Sequence, residues 1–303
     1  MGINSARSIR IKNPMTTPDA SDDFKLSIGD TLKEIYRFLW SAKNSFILLA
    51  TLPVAVLSLF WVAMAGLAVV TVPGDSANPA ALWELCVLYI PSLVLFSVFA
   101  VTWHRRYLNR GVQVGIKDAL IPNTRHLKYF FSTLLTTLIA VAVISVPIAI
   151  VIIFTLVINF AAGGKVKPPV DVQTVSVFVG IVAAVLFSCV FLRLAQWLSV
   201  IAIASPFKML EAWRRGRGNS WRLFAIGCGA AIIPAILIGL YQLTPTNLDL
   251  LSIFSENPWI VIATLLGEYA VAYITLAFSV ATLSVCYDRL LARIANDPLY
   301  TLG

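Results

Sequence analysis

Two ionisable side chains stand inside long apolar runs, and they are the first candidates for chemistry. Glu268 lies about ten residues into the run that opens at Trp259, which at about 1.5 Å per helical residue puts it about 15 Å deep. Arg193 sits in Phe191-Leu-Arg-Leu-Ala-Gln-Trp197. Charge at such depth is costly and usually faces a partner or a wet cavity. One reading makes the two an ion pair, or two separate polar points lining a path. The structural alternative lets Arg193 snorkel to the inner headgroups from a helix that extends beyond the bilayer. For Glu268 it is a protonated or hydrogen-bonded contact between helices, aided by Tyr269 or Tyr273. Counted from the outer ends, the depths are about 15 Å and about 30 Å, which argues against a direct pair.

Other reactive residue types form no constellation. Cys86, Cys189, Cys228 and Cys286 fall in four different runs without CxxC spacing, so they read as small apolar packing residues. His104 and His126 fall in a loop among Arg105, Arg106 and Arg125, where positive charge opposes a bound metal. There is no GxSxG and no identifiable nucleophile–His–Asp set. Gly216 and Gly218 are too few and wrongly spaced for a phosphate loop, and Arg-Gly-Arg-Gly reads as a tight basic turn. The expectation is therefore a chain with no catalytic centre, no metal site and no cofactor.

The elements that carry these residues are membrane-spanning helices. Hydrophobic residues make up 59% of the chain and charged residues 13%, about half the charge of a soluble domain. Apolar runs exceed the roughly 18 residues a helix needs to cross the hydrocarbon, and they are continuous, unlike the alternating strands of a barrel. Six spans are predicted: Ser45–Val72, Leu82–Trp103, Tyr129–Phe160, Val172–Ser205, Leu223–Leu243 and Trp259–Tyr287. The third, fourth and sixth must tilt, bend or extend beyond the bilayer. Pro53, Pro91, Pro147 and Pro234 fall inside four of them. Residues 1–23 are polar, carry no signal-peptide core and read as a poorly ordered tail. Residues 296–303 form the other tail, and 24–295 one transmembrane domain.

Basic residues alternate by loop. Of 23 lysines and arginines, 20 lie before the first span, in the second and fourth loops and after the last span. The positive-inside rule makes that side cytoplasmic and places both termini there, as six spans require. The same residues attract anionic headgroups, and Arg105, Arg106, Arg214, Arg215 and Arg217 are the candidate lipid contacts. No aromatic–basic surface points to nucleic acid.

The basic segments resemble one another. Ile28–Trp40, Gly115–Ile121 and Phe207–Trp213 are short amphipathic stretches, followed by Asn44-Ser, Asn123-Thr and Asn219-Ser and then by a span. Ile28, Leu32, Ile35 and Leu39 recur at helical spacing, as in a helix lying in the headgroup layer. Ser or Thr after Asn suits a helix start. The pattern predicts three parallel repeats, 24–103, 114–205 and 206–290, each an interfacial helix and a transmembrane hairpin. This order, the segment Ser205-Pro-Phe-Lys-Met-Leu-Glu-Ala-Trp-Arg-Arg-Gly-Arg-Gly-Asn-Ser-Trp-Arg-Leu223 and the closing Val285-Cys-Tyr-Asp-Arg-Leu290 resemble a group of bacterial six-span membrane proteins. That group includes the membrane domain attached to some glycerophosphodiester phosphodiesterases. The resemblance implies a bacterial inner-membrane protein and carries over no catalytic residue.

The expected fold class is all-α: a polytopic membrane protein of six helices in three hairpins, with short cytoplasmic interfacial helices. The expected function is non-catalytic, an accessory or scaffold role through membrane lipids or a membrane-protein partner. The alternative is a transporter or lipid-handling protein with a polar path near Glu268.

Overall fold

The computed structural model describes residues 25–71, 80–109, 123–161, 172–204, 209–243 and 257–295. Among the described residues the secondary structure is helical, with no strand. The helices are α1 (Ile28–Ser41), α2 (Lys43–Thr71), α3 (Ala80–Leu108), α4 (Thr124–Ala161), α5 (Val172–Ala202), α6 (Met209–Arg215), α7 (Ser220–Gln242) and α8 (Pro258–Ala295). Both tails and the Gly115–Ile121 stretch lie outside the described residues. Among the described residues five helices, α2, α4, α5, α7 and α8, are long and apolar enough to cross a membrane, the make-up of a multi-pass membrane protein. The described part of α3 closes on His104, Arg105 and Arg106, which lower its apolarity.

Each helix follows from its sequence. Ser27 caps α1: its hydroxyl accepts from the Asp30 amide at 3.4 Å and donates to the Asp30 carboxylate at 2.7 Å, satisfying a first-turn donor next to a favourable acidic charge. Only Ala42 separates α1 from α2, so Asn44-Ser45 lies within α2, and Ser45 is not the helix start that the repeat pattern suggested. Asn123 does start α4, its side-chain oxygen accepting from the amides of Arg125 and His126 at 2.9 and 3.3 Å. Asn219 stands at the start of α7, but its side chain is used elsewhere. Pro53, Pro91 and Pro234 sit inside α2, α3 and α7, which continue across them. α8 has 38 residues, about 57 Å of helix, so it outruns a hydrocarbon core of about 30 Å.

α8 is the central element, packing against α1, α2, α3, α5 and α7. Three contacts fix α3 beside it: Ser92 Oγ to Tyr269 Oη at 3.5 Å, Trp103 Nε1–H donating to the Ala277 carbonyl at 3.2 Å, and His104 Nδ1 to Ser284 Oγ at 2.7 Å. Numbers rise together along both helices, so α3 and α8 run parallel. Rings tie the interface from α1 to α8 in the order Tyr107, Phe38, Trp103, Phe99, Tyr273 and Phe96, with successive centroids 5.0–5.7 Å apart. Such pairs contribute about 0.5–1.5 kcal/mol each beyond the area they bury.

The periodicity of α1 is borne out, but its inner face lies on protein. Ile35 is fully buried, and Leu32 and Leu39 pack with it against Leu223, Ile226, Val285 and Leu290 of α7 and α8. The segment before it is held by its backbone: the Leu26 amide donates to Asn219 Oδ1 at 2.9 Å, and the Leu26 carbonyl accepts from Arg222 at 2.6 Å. Tyr36 O–H donates to the Gly229 carbonyl at 2.7 Å. Burial raises the Tyr36 hydroxyl above the ordinary phenol value. Because the folded value is the higher one, this contact is whole below the usual phenol range and weakens as pH rises through the folded value.

Asn219→Ala leaves the buried Leu26 amide without its acceptor and is expected to cost about 1–3 kcal/mol. Thermal unfolding in detergent measures the loss, and Asn219→Asp, which keeps the acceptor, should recover most of it.

Candidate functional site

The polar centre of the bundle is a histidine that four helices enclose. His104 is fully buried in α3, not in the loop where its arginine neighbours suggested it. Its Nδ1 lies 2.7 Å from Ser284 Oγ of α8 and 3.4 Å from Ser199 Oγ of α5, and its Nε2 lies 3.1 Å from Tyr129 Oη of α4. Ser284 donates to the Val280 carbonyl at 2.8 Å, so its oxygen accepts the hydrogen bond from Nδ1–H. Nε2 is then the acceptor, and Tyr129 donates to it. Tyr129, Ser199 and Ser284 are buried as well. One tautomer therefore satisfies tyrosine, imidazole and serine in a single chain. The arrangement suits a neutral lock between helices, since no carboxylate joins it and neither described cavity opens on it. His126 also lies in a helix, α4, where it is buried and its Nδ1 accepts from the Asn123 amide at 3.0 Å.

Arg193 and Glu268 stand far apart. Arg193 leans on α6 and the turn that follows it: its Nε donates to the Trp213 carbonyl at 2.8 Å, and its guanidinium stacks 3.9 Å from the Trp213 ring centre. Gly216 makes room for it, because a Cβ there would meet Arg193 Cγ at 2.8 Å, and Gly218 takes the positive φ of 78° that closes the turn. Both glycines of the Arg-Gly-Arg-Gly turn thus have a structural reason. Glu268 lies near the other end of α7. Its electrostatic neighbour is Tyr241, whose ring lies against Gly267 and whose hydroxyl donates to the Thr264 carbonyl at 3.3 Å. The run from Ser220 to Tyr241 is about 31 Å of helix. Tyr269 and Tyr273 turn into the core against α3, while Glu268 is exposed.

Arg214 and Arg217 are exposed, Arg105 and Arg106 half-buried, and the side chain of Arg215 lies outside the described ones. Cys189, Cys228 and Cys286 are unpaired, and the side chain of Cys86 lies outside the described ones. Among the described residues no cluster of His, Cys, Asp or Glu could hold a metal.

Two cavities accompany these groups. One, of about 290 Å³ between α5, α7 and α8, is walled by residues such as Phe191, Leu192, Phe224, Pro234 and Phe278. The hydroxyls on its wall, Ser188, Thr275, Ser279 and Thr282, each donate to a carbonyl four residues back, which leaves the wall apolar. The other, of about 710 Å³, is a polar cleft between α1, α3 and α8. Its wall holds an ion pair the sequence did not reveal: Arg289 donates through Nε and Nη2 to Glu34 Oε2 at 2.9 and 2.7 Å, and Tyr107 donates to Glu34 Oε1 at 2.5 Å. Glu34 and Arg289 are 255 positions apart, and nothing local marks either one.

Compared with family models, curated proteins and solved structures, the chain matches none.

Tyr129→Phe removes the donor to His104 Nε2 and is expected to destabilise the protein by about 1–3 kcal/mol. Combined with Ser284→Ala, the two losses should not add, because both act through one imidazole. A double-mutant cycle on thermal unfolding checks this, and strict additivity would remove the shared network.

Proposed function

We propose that this chain is a six-span membrane protein, with both termini in the cytoplasm, that works without catalysis through lipids and membrane partners. The observation that carries this is the closed His104 centre. Its polar atoms bond one another, and its ring is fully buried. A transport path would need polar groups open to water at that depth, and Glu268 lines neither described cavity.

The span count is supported by the course of α3, which runs parallel to α8 from Ser92–Tyr269 to His104–Ser284. Consecutive pairing of α2 with α3, α4 with α5 and α7 with α8 suits three hairpins. Exposed Trp40 and Trp221 at one end and Trp259 at the other suit the aromatic belts of the two interfaces. The basic loops then face the cytoplasm, and the resemblance drawn from Ser205–Leu223 makes the membrane a bacterial inner one.

Two measurements test the reading. In a cysteine-free background, Lys25→Cys and Asn257→Cys should react with an impermeant thiol reagent from opposite faces of the membrane. Labelling of both from one face would end the six-span arrangement. A high-resolution map of the protein in native lipid should show a dry centre around His104. A water-filled passage reaching Glu268 from either face would overturn the non-transport reading.

A further inference from the structure

The polar cleft between α1, α3 and α8 holds more positive charge than its own acids neutralise. Its wall carries Lys33, Arg37, Arg106 and Arg289 against Asp30 and Glu34. Arg289 is committed to Glu34 by two charge-assisted hydrogen bonds and to the Asp30 carbonyl by a third at 3.2 Å. The Asp30 carboxylate accepts from Ser27 at the helix cap. Lys33, Arg37 and Arg106 carry no ion pair among the described residues. Lys33 and Arg37 are one turn apart on α1, and Arg106 comes from α3, so three cations from two helices meet one cavity. Like charges gathered in this way repel unless an anion joins them.

We propose that this cleft binds a phosphate group bearing more than one negative charge. A carboxylate is planar and is matched by a single guanidinium fork. A tetrahedral phosphate can offer separate oxygens to Arg37, Arg106 and Lys33 approaching from different sides. The Arg289–Glu34–Tyr107 cluster holds α1 and α3 at a fixed distance, so the cations are placed before the ligand arrives. The group reaches the site from a lipid headgroup or from a dissolved phosphate compound. Trp40, 74% exposed with Lys43 stacked 4.5 Å from its ring centre, sits beside the cleft residue Ser41. Such an amphipathic ring marks headgroup level. The lipid source rests on the membrane placement proposed above, whereas the phosphate chemistry does not.

The test uses the full chain in phosphatidylcholine nanodiscs, alone, with phosphatidic acid or with phosphatidylglycerol, and with inorganic phosphate added separately. Phosphatidic acid, a phosphomonoester, should raise the Tm more than singly charged phosphatidylglycerol. Arg37→Gln with Arg106→Gln should weaken that apparent affinity about tenfold. The exposed pair Arg214→Gln with Arg217→Gln, outside the cleft, should leave it unchanged. Should the cleft double variant misfold, Lys33→Gln, a change at an exposed position, reads the same difference. A rise with inorganic phosphate as well assigns the site to phosphate in general, and a rise with phosphatidic acid alone assigns it to a bilayer-borne headgroup. Equal response to the two lipids, or equal loss in both double variants, would show diffuse surface attraction and overturn the site. A water path to Glu268 would sink the non-transport reading and leave this result standing.

Discussion

A polar atom inside an apolar bundle has only the bundle to bond with, and in this protein α8 supplies most of the partners. Its Tyr269 meets Ser92, its Ala277 carbonyl accepts from Trp103, its Ser284 hydroxyl accepts from His104 Nδ1–H, and its Arg289 holds Glu34. In a core surrounded by hydrocarbon, apolar contact distinguishes poorly between one helix register and the next, since lipid tails are as apolar as leucine. Hydrogen bonds distinguish sharply, because a slip of one residue strands buried donors. The first three of these contacts therefore set the register of α3 on α8, and the aromatic rings between Tyr107 and Phe96 pack in the positions that register allows. The fourth carries the same register out to α1.

The same constraint accounts for α1. An amphipathic helix beside a membrane can lay its apolar face on lipid, but here Leu26 has its amide and carbonyl bonded to Asn219 and Arg222. Those bonds fix the backbone before the helix begins. Ile35 and Leu32 then fall on α7 and α8 rather than outward. Lys33 and Arg37 are left on the face that looks across at Arg106. The basic cleft is thus a consequence of how α1 is seated, and it would not exist if the helix merely floated at headgroup depth.

The sequence was legible where one residue type governs one element. Apolar runs longer than a bilayer predicted where each described long helix lies, because spanning length is a local property, but not its polar end: α3 and α4 run five residues past the predicted bounds and α8 eight, to Ala295. The tight turn at Arg-Gly-Arg-Gly, residues 215–218, was legible too, since Gly218 answers to its own backbone angle. Ser45 was misread: following Asn44 in the repeat pattern made it a helix start, while the chain passes from α1 to α2 across Ala42 alone. His104 was placed by its arginine neighbours, yet its environment is set by Tyr129, Ser199 and Ser284, up to 180 positions away. Glu34 and Arg289 failed for the same reason. Each is an ordinary surface charge locally, and only the crossing of α1 over the end of α8 brings them together.

Glu268 and Arg193, the charges that stood out first, take different meanings once their neighbours are known. Arg193 spends its Nε and the face of its guanidinium on Trp213, a protein contact toward the basic end of the bundle. Glu268 stands beside Tyr241 on the outer surface of α8, about one α7 length away. A pair at that separation cannot neutralise itself, and the cavity that lies between α5, α7 and α8 has an apolar wall that Glu268 does not line. Depth counted along each span separately had already set them about 15 Å apart, and packing widened the gap. Three cations without an ion pair among the described residues converge instead at Lys33, Arg37 and Arg106, in a cleft between α1, α3 and α8, where they can be held together at far smaller desolvation cost than within the spans.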